Sequence, residues 1–377
     1  LNRQIKILEN LGFVINSRKD EFIIIEVPHF RTDIDGAADI VEEIVRIYGY
    51  DKIKPQSVIK DPRIKKEILN RKLKSFYKSK RIIASRGYLE VVTWSFVSSE
   101  QASLGSKKEN VIIKNPISSD LNTMRPSIFP NLLSSININI SRLYNNGKLF
   151  EVGPQYSGPK EEDQQMVASG IQYGPVHTET WGDEKRMSDV FDVKSDVYFV
   201  LDQLNVPVDK VLYEESDNNF FHPGKSAQLR IGKNILAQFG EIHPFILQKF
   251  EINTNVSGFE ILLDQISQFQ LKIASTKKAY DNNSLQAIER DFAFLFPKNI
   301  RAGEIIKKIK KIDNQLVKNV IVFDVFEGNI LPENMKSIGI KVILQPIEKT
   351  FTDSEIEKTS KKIIDLISKT FEGKLRQ

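Results

Sequence analysis

The 377-residue sequence contains no cysteine and only four histidines and two tryptophans. Without thiols there is no disulfide, thiolate zinc site, iron–sulfur cluster or cysteine nucleophile, and four dispersed imidazoles leave little for a zinc centre. Any metal would be held by oxygen. No uninterrupted apolar run approaches the roughly 20 residues that cross a bilayer, so the composition predicts a soluble, cytoplasmic chain with no membrane partner. Neither GxGxxG nor GxxxxGK[ST] occurs, which removes the dinucleotide-binding and P-loop folds. Residue 1 is Leu rather than Met, and residues 1–5 have the texture of a helix rather than of a signal segment. The chain is expected to be the downstream part of something longer.

Charge is present but unevenly placed. Residues 277–377 carry 19 Lys and Arg against 14 Asp and Glu, while residues 1–276 balance at 35 against 35. The whole net charge of +5 therefore sits in the C-terminal segment. A basic end on a neutral body points to a polyanion partner such as nucleic acid, although lysines on solvated helix faces would give the same count.

At roughly 100–200 residues per domain the chain should hold two or three domains. Texture divides it at about residues 62 and 276, and the expected class is α+β. Residues 1–62 read as a small α+β unit: an apolar-periodic stretch at Ile5, Leu8 and Leu11, a turn at 17–20, a strand over 22–27 ended by Pro28, and a helix over 35–48 stopped by Gly49. Residues 63–276 open with a helix over 64–85, continue with a strand over 89–96, and then alternate mostly sequence-adjacent strands (110–114, 148–156, 166–173, 227–231, 235–240, 258–263) with helices at 129–144, 188–204 and 244–250. That order predicts an antiparallel sheet with helices packed on it. Residues 277–377 read as strand 290–296, helix 301–312, strand 317–326, hairpin loop, strand 337–345, helix 353–371 and an extended end. The order βαββαβ is the ferredoxin-like plan, shared with RNA-recognition modules.

The sharpest local feature runs from Val27 to Ile34 and on to Asp39, Glu42 and Glu43. Positions 39, 42 and 43 share a helix face, with Asp33 in the lead-in loop close enough to join them. Such hard oxygen donors would suit Mg²⁺; a solvated acidic face partly neutralised by Arg46 is the other reading. Segment 115–125 offers an Asn-Pro turn and Arg125 before a helix, a place for a phosphate or simply a helix cap. Residues 220–227 bring His222, Lys225 and Ser226 together around a Pro-Gly turn, with no aligned acid to make a triad. His29, His177 and His243 are isolated. In the basic segment Phe292, Phe294, Phe296, Phe323 and Phe326 lie on strands, where alternation fits core packing for most of them, and Asp324 and Ser337 flank the long hairpin as candidates for base-edge hydrogen bonds.

Taken together, these stretches resemble the family of bacterial phenylalanine–tRNA ligase beta subunits, over essentially the whole chain and in the same order. The most specific segments are Val27-Pro-His-Phe-Arg-Thr-Asp-Ile34 and Ala38-Asp-Ile-Val-Glu-Glu-Ile-Val-Arg-Ile-Tyr-Gly-Tyr-Asp51. The resemblance implies that Asp33, Asp39, Glu42 and Glu43 hold Mg²⁺ near an alpha subunit. It implies that 63–276 is a class II synthetase-like module without catalytic residues, since Leu149-Phe-Glu-Val-Gly153 lacks an Arg before the Glu and no GxGxxR-type segment follows. Arg86-Gly-Tyr-Leu-Glu-Val-Val-Thr93 is similar to the element through which such modules pair. The tail, with Phe323-Asp-Val-Phe-Glu-Gly328, is similar to a ferredoxin-fold anticodon-binding domain. The implied role is non-catalytic: tRNA binding and assembly with an alpha subunit that itself binds ATP and phenylalanine. Nothing in the chain matches the family's editing portion. A stand-alone RNA-binding or scaffolding remnant with no ligase role is the alternative.

Overall fold

The computed structural model describes residues 1–19, 22–57, 68–105, 110–177, 180–182, 186–269, 283–313, 315–328, 330–347 and 349–376. The chain forms two compact units, Leu1–Ile68 and Leu69–Gln377. Both boundaries expected from texture, at 62/63 and 276/277, lie outside the described residues.

In the first unit a helix, Asn2–Asn10, buries Ile7 and Leu8. An antiparallel hairpin follows, Val14–Arg18 against Ile23–Glu26, so the expected strand has a partner in a stretch whose apolar pattern does not announce one. The second helix is Ala37–Tyr48. It starts two residues later than its periodicity suggests because the Asp39 carboxylate accepts the backbone N–H groups of Asp35 and Gly36, at 2.9 and 2.8 Å, and so makes them its cap. It stops at Gly49, whose φ of 113° is hard for a residue with a side chain.

The second unit is built on two main sheets, of seven and four strands, beside a two-stranded one. The larger has seven strands in the order Leu89–Glu90, Gly147–Tyr156, Gln164–Tyr173, Val256–Leu262, Asn234–Ile242, Phe221–Ile231, Leu212–Glu214. Only the pairing of Leu89–Glu90 is parallel. One face is apolar throughout its centre: Phe150, Val152, Phe239, Phe259 and Ile261 pack on helices Arg71–Ser85, Val190–Gln203 and Leu263–Phe269. On the other face Leu149, Ile171 and Phe221 pack on helices Phe129–Ser141 and Pro244–Lys249. The helix Val190–Gln203 begins two residues after its expected start because Asp189 caps it, with Asp189 Oδ1 accepting the Phe191 N–H and the Asp192 carboxylate accepting the Asp189 N–H.

Three expectations for this region change. The strand expected over 89–96 divides: Leu89–Glu90 joins the large sheet, and Phe96–Val97 pairs with Thr123–Met124 in a separate two-stranded one. The strand expected at 110–114 reduces to one bridge, Ile112 to Thr123. The Pro-Gly turn at 220–227 is contained in the long strand Phe221–Ile231, where residues 222–225 bulge out between the pairs Phe221–Ile242 and Ser226–Gly240.

The smaller sheet runs Val317–Phe326, Met335–Leu344, Ile288–Pro297, Lys374–Leu375, all antiparallel. Helices Ala302–Lys310 and Asp353–Phe371 cover one face, where Phe292, Phe294, Phe296, Ile338, Ile340 and Val342 meet Ile305, Ile309, Ile363 and Ile367. The longer helix is started by Thr352, whose N–H and hydroxyl both donate to Glu355. Phe294 is fully enclosed at the middle of this core. Phe294→Ala should cost about 3–5 kcal/mol, observed as early loss of hydrogen-exchange protection over 284–376 with protection of the seven-stranded sheet retained.

Candidate functional site

The carboxylates expected to gather near the first-unit helix are engaged in different ways. Glu43 is 8% exposed; one oxygen accepts from Arg31 Nη2 at 2.8 Å and the other from Arg46 Nη2 at 2.6 Å. Asp33 accepts from both Nε and Nη2 of Arg31, at 2.9 and 2.7 Å. Asp39 is spent on the helix cap, and Glu42 is exposed. Hydrogen bonds from Arg31 hold the Glu43 and Asp33 carboxyls down at about 2, with Arg46 adding to the effect on Glu43. Among the described residues no three His, Asp or Glu side chains are grouped so as to hold a cation. The donor chemistry suits Mg²⁺, but a guanidinium already bridges Asp33 and Glu43, so the set as arranged does not fit a metal bound by all four. Sequence reasoning found Arg46 and missed Arg31, two residues before Asp33 in the same loop.

A second arrangement lies on the large sheet. Reading across the strands in register, Glu151 pairs with Ser169, Ser169 with Glu260, Glu260 with Gln238, Gln238 with Gln228, and Gln228 with Glu214. Directly paired residues point to the same face, so six polar side chains form one row across six strands. The row is neutralised at both ends. Glu151 receives Arg125 Nη1 at 2.8 Å, and Glu214 receives Arg230 Nη1 at 2.6 Å. Arg125 is 1% exposed and also donates to Thr93 Oγ1 at 3.0 Å and to the Pro154 carbonyl at 2.9 Å. The suggestion that Arg125 meets a phosphate is thereby corrected, because the protein encloses it and Glu151 satisfies its charge. Lys225 likewise pairs with Glu241 at 2.7 Å, and the rings of His222 and His243 stack at 6.3 Å. Glu260, at the middle of the row, has no cationic partner among the described residues. Burial pushes its carboxyl up to about 7, against the lowering effect of hydrogen bonds from Gln155, Ser127 and Ser169. A cavity of about 630 Å³ opens above it.

The third arrangement is the face of the smaller sheet that no helix covers among the described residues. A bulge between Val322 and Asp324 breaks the alternation of the strand, and the Phe323 ring lies over Gly339, where a Cβ would come within 2.9 Å of it. Phe323 is 54% exposed and Phe326 38%, whereas Phe292, Phe294 and Phe296 are core. Asp324 is exposed beside this ring. Ser337 is not available as expected: it is 3% exposed, set between Phe326 and Leu295 in the ladder. Lys374 pairs with Leu295 and the Arg376 N–H donates to the Ala293 carbonyl, so two basic residues border the open face.

With that geometry in place, sequence comparison identifies the class. The profile described as tRNA synthetase B5 domain matches residues 2–50, that of the phenylalanyl tRNA synthetase beta chain CLM domain matches 56–263, and that of the ferredoxin-fold anticodon binding domain matches 284–376. All three are modules of tRNA synthetases. Similar relatives include the phenylalanine–tRNA ligase beta subunits of Rhodospirillum rubrum, 34% identical over 98% of this chain and 46% of that one, and of Brucella abortus, 36% identical over 98% and 47%. The chain belongs to the phenylalanyl-tRNA synthetase beta chain family. It spans about half the length of the curated relatives it matches. A solved pyrrolysyl-tRNA synthetase from Desulfitobacterium hafniense aligns with 52% of this chain and 67% of that one at TM-score 0.39 and 16% identity.

Two stability outcomes follow from these sites. Glu260 carries its proton more tightly folded than unfolded, so stability is fully present below about 4.5 and is lost as pH rises through about 7. Glu260→Gln should remove that dependence and stabilise the protein near pH 8 by on the order of 3 kcal/mol, as denaturant midpoints across pH will register. Arg31→Met leaves Glu43 with one cation in place of two and should cost the first unit about 1–3 kcal/mol, measurable by its hydrogen exchange.

Proposed function

We propose that this chain is the non-catalytic, tRNA-gripping part of a phenylalanine–tRNA ligase beta subunit. In this reading it binds the anticodon region of tRNA through the open face of its C-terminal sheet and assembles with an alpha subunit that binds ATP and phenylalanine. The observation that carries the first half is Phe323, an aromatic ring held flat against a glycine on an uncovered sheet face, beside Asp324 and bordered by Lys374 and Arg376. Bases splayed from a single-stranded loop stack on such rings, and exposed basic side chains supply phosphate attraction. Asp324 would accept from a base edge; Ser337 would join it only if Phe326 moved aside.

For assembly, the feature that supports the reading is the free edge of the large sheet. Leu89 at 69%, Val92 at 88% and Trp94 at 64% are exposed there, an apolar run that a partner subunit would cover. The module itself has no place for adenylate chemistry of its own in this reading: the enclosed Arg125 serves Glu151, and the described lining of the cavity over Glu260 contains no Lys, Arg or His. The assembled enzyme would activate phenylalanine with ATP and transfer it to tRNA, with this chain contributing position and affinity. Domain limits near 62 and 276 belong to the same proposal. The stand-alone remnant is not favoured, given the family of the chain.

Replacing Phe323 with Ala should weaken tRNA binding by about 1–3 kcal/mol, the range for one lost base stack, without changing the slope of affinity against salt. Replacing Lys374 and Arg376 should instead reduce that slope. Filter binding at several salt concentrations separates the two, and an unaffected Phe323→Ala variant would move the RNA site off this face. Magnesium enters the reading only through Asp33, Asp39, Glu42 and Glu43, and only if Arg31 gives way to it. Thermal unfolding of Arg31→Met with and without Mg²⁺ decides: a Mg²⁺-dependent rise favours the metal, an unchanged midpoint the arginine.

A further inference from the structure

We propose that the cavity over the middle of the seven-stranded sheet binds a small organic cation, whose ammonium or guanidinium group meets Glu260. The proposal is independent of the tRNA reading and concerns the face of the sheet that holds the polar row. That row contains three carboxylates. Glu151 and Glu214 each have a guanidinium of their own, from Arg125 and Arg230. Glu260 lies between them, 6% exposed, with only neutral partners among the described residues. The same pattern of charge compensation, applied to the central position, leaves a place for one more cation, and among the described residues no side chain fills it.

The chemistry of the walls narrows what that cation is. Glu260, Gln238, Gln228 and Ser127 make up the polar floor, Asp217 adds a second carboxylate, and Tyr156 and Phe220 supply aromatic surface. The described lining contains no basic residue, so among the described residues a phosphate-bearing ligand would meet Glu260 with no cation to offset its charge. Amide oxygens and carboxylates accept hydrogen bonds from N–H groups, and aromatic faces attract cations. The volume, about 630 Å³, is in the range of small-molecule sites. A bare metal ion is a poorer fit, because the charged donors do not form a group of three.

The raised protonation range of Glu260 has a consequence for such a ligand. Binding a cation favours the ionised carboxylate, so affinity should grow as pH rises through about 7. The other charged groups around the row are Arg125 and Glu151 at one end, Arg230 and Glu214 at the other, and Asp217 on the rim. Among the described residues no histidine lines the cavity.

The test is calorimetric titration of the full chain with agmatine, which carries both an ammonium and a guanidinium, from about pH 6 to about pH 8. Saturable binding is expected, tighter at the higher pH and weakened about 10- to 100-fold in Glu260→Gln, as for loss of a hydrogen bond to a charged group. ATP should give no saturable heat in the cavity, and Glu260→Gln should not alter whatever ATP does elsewhere. The pH series on the unaltered protein decides even if the variant does not fold. No saturable agmatine binding, affinity indifferent to pH, or equal affinity in Glu260→Gln overturns the proposal.

Discussion

The seven-stranded sheet depends on one enclosed guanidinium. Arg125 is among the largest fully buried side chains of the protein, and it touches two stretches of chain at once, residues 93–95 and the strand Gly147–Tyr156. Its side chain neutralises Glu151 and donates to Thr93 and Pro154, while its backbone N–H donates to Ser95 and its carbonyl accepts from Tyr156. Removing either member of a buried ion pair strands the other charge at a cost of about 3–5 kcal/mol, even where the pair itself contributes little net stability. Arg125 therefore fixes where the chain leaves the sheet after Leu89–Glu90, and why Phe96–Val97 belongs to a different one.

The same device recurs at two other enclosed carboxylates, Asp196 and Glu43, but not at Glu260. Asp196, 2% exposed in the helix Val190–Gln203, is met by Arg86 at 2.6 Å and by the Tyr88 hydroxyl at 2.9 Å, and burial beside it raises the Tyr88 hydroxyl well above its ordinary range. Glu43 is shared between Arg31 and Arg46. In each case a guanidinium comes from a segment next to a loop or helix end, so the charge pair locks irregular chain onto a regular element. Exposed pairs do not act this way. Arg301 and Glu215, at 3.0 Å but both well exposed, link the two sheets of the second unit with an interaction worth at most about 1 kcal/mol.

Apolar periodicity made most of this architecture legible. The helices Val190–Gln203 and Asp353–Phe371 follow their stripes and capping residues, and the order of elements in 284–376 could be read directly. Polar partnership could not. Nothing in the spacing of Arg31, Arg125 or Glu151 states which carboxylate each guanidinium meets, because those pairs form across strands and loops that only the folded chain brings together. The alternation rule also failed at a bulge: past Val322 one extra residue puts Asp324 on the open face beside Phe323 and brings Phe326 there too, while the same aromatic type at 292, 294 and 296 stays inside. Ser337 illustrates the converse, a polar residue beside a loop that the fold encloses. Helix-face spacing supplied the candidate carboxylates of the first unit and the family resemblance their implied role, but only geometry showed a guanidinium among them.

The two larger sheets of the second unit treat their second face in opposite ways, and that contrast is what the two proposed kinds of partner rest on. On the large sheet the polar row is roofed by neighbouring chain, so its groups act in a low-dielectric setting where a single uncompensated carboxylate has a strong preference for a compact positive charge. On the small sheet the face is left bare, with an aromatic ring pinned by a glycine and basic residues at the margin, a surface suited to flat, extended and highly charged molecules. Enclosure gives selectivity by charge and size; exposure gives contact area and salt-sensitive attraction. A fold that offered both properties on one face would have to desolvate a polynucleotide completely, and separating them avoids that cost.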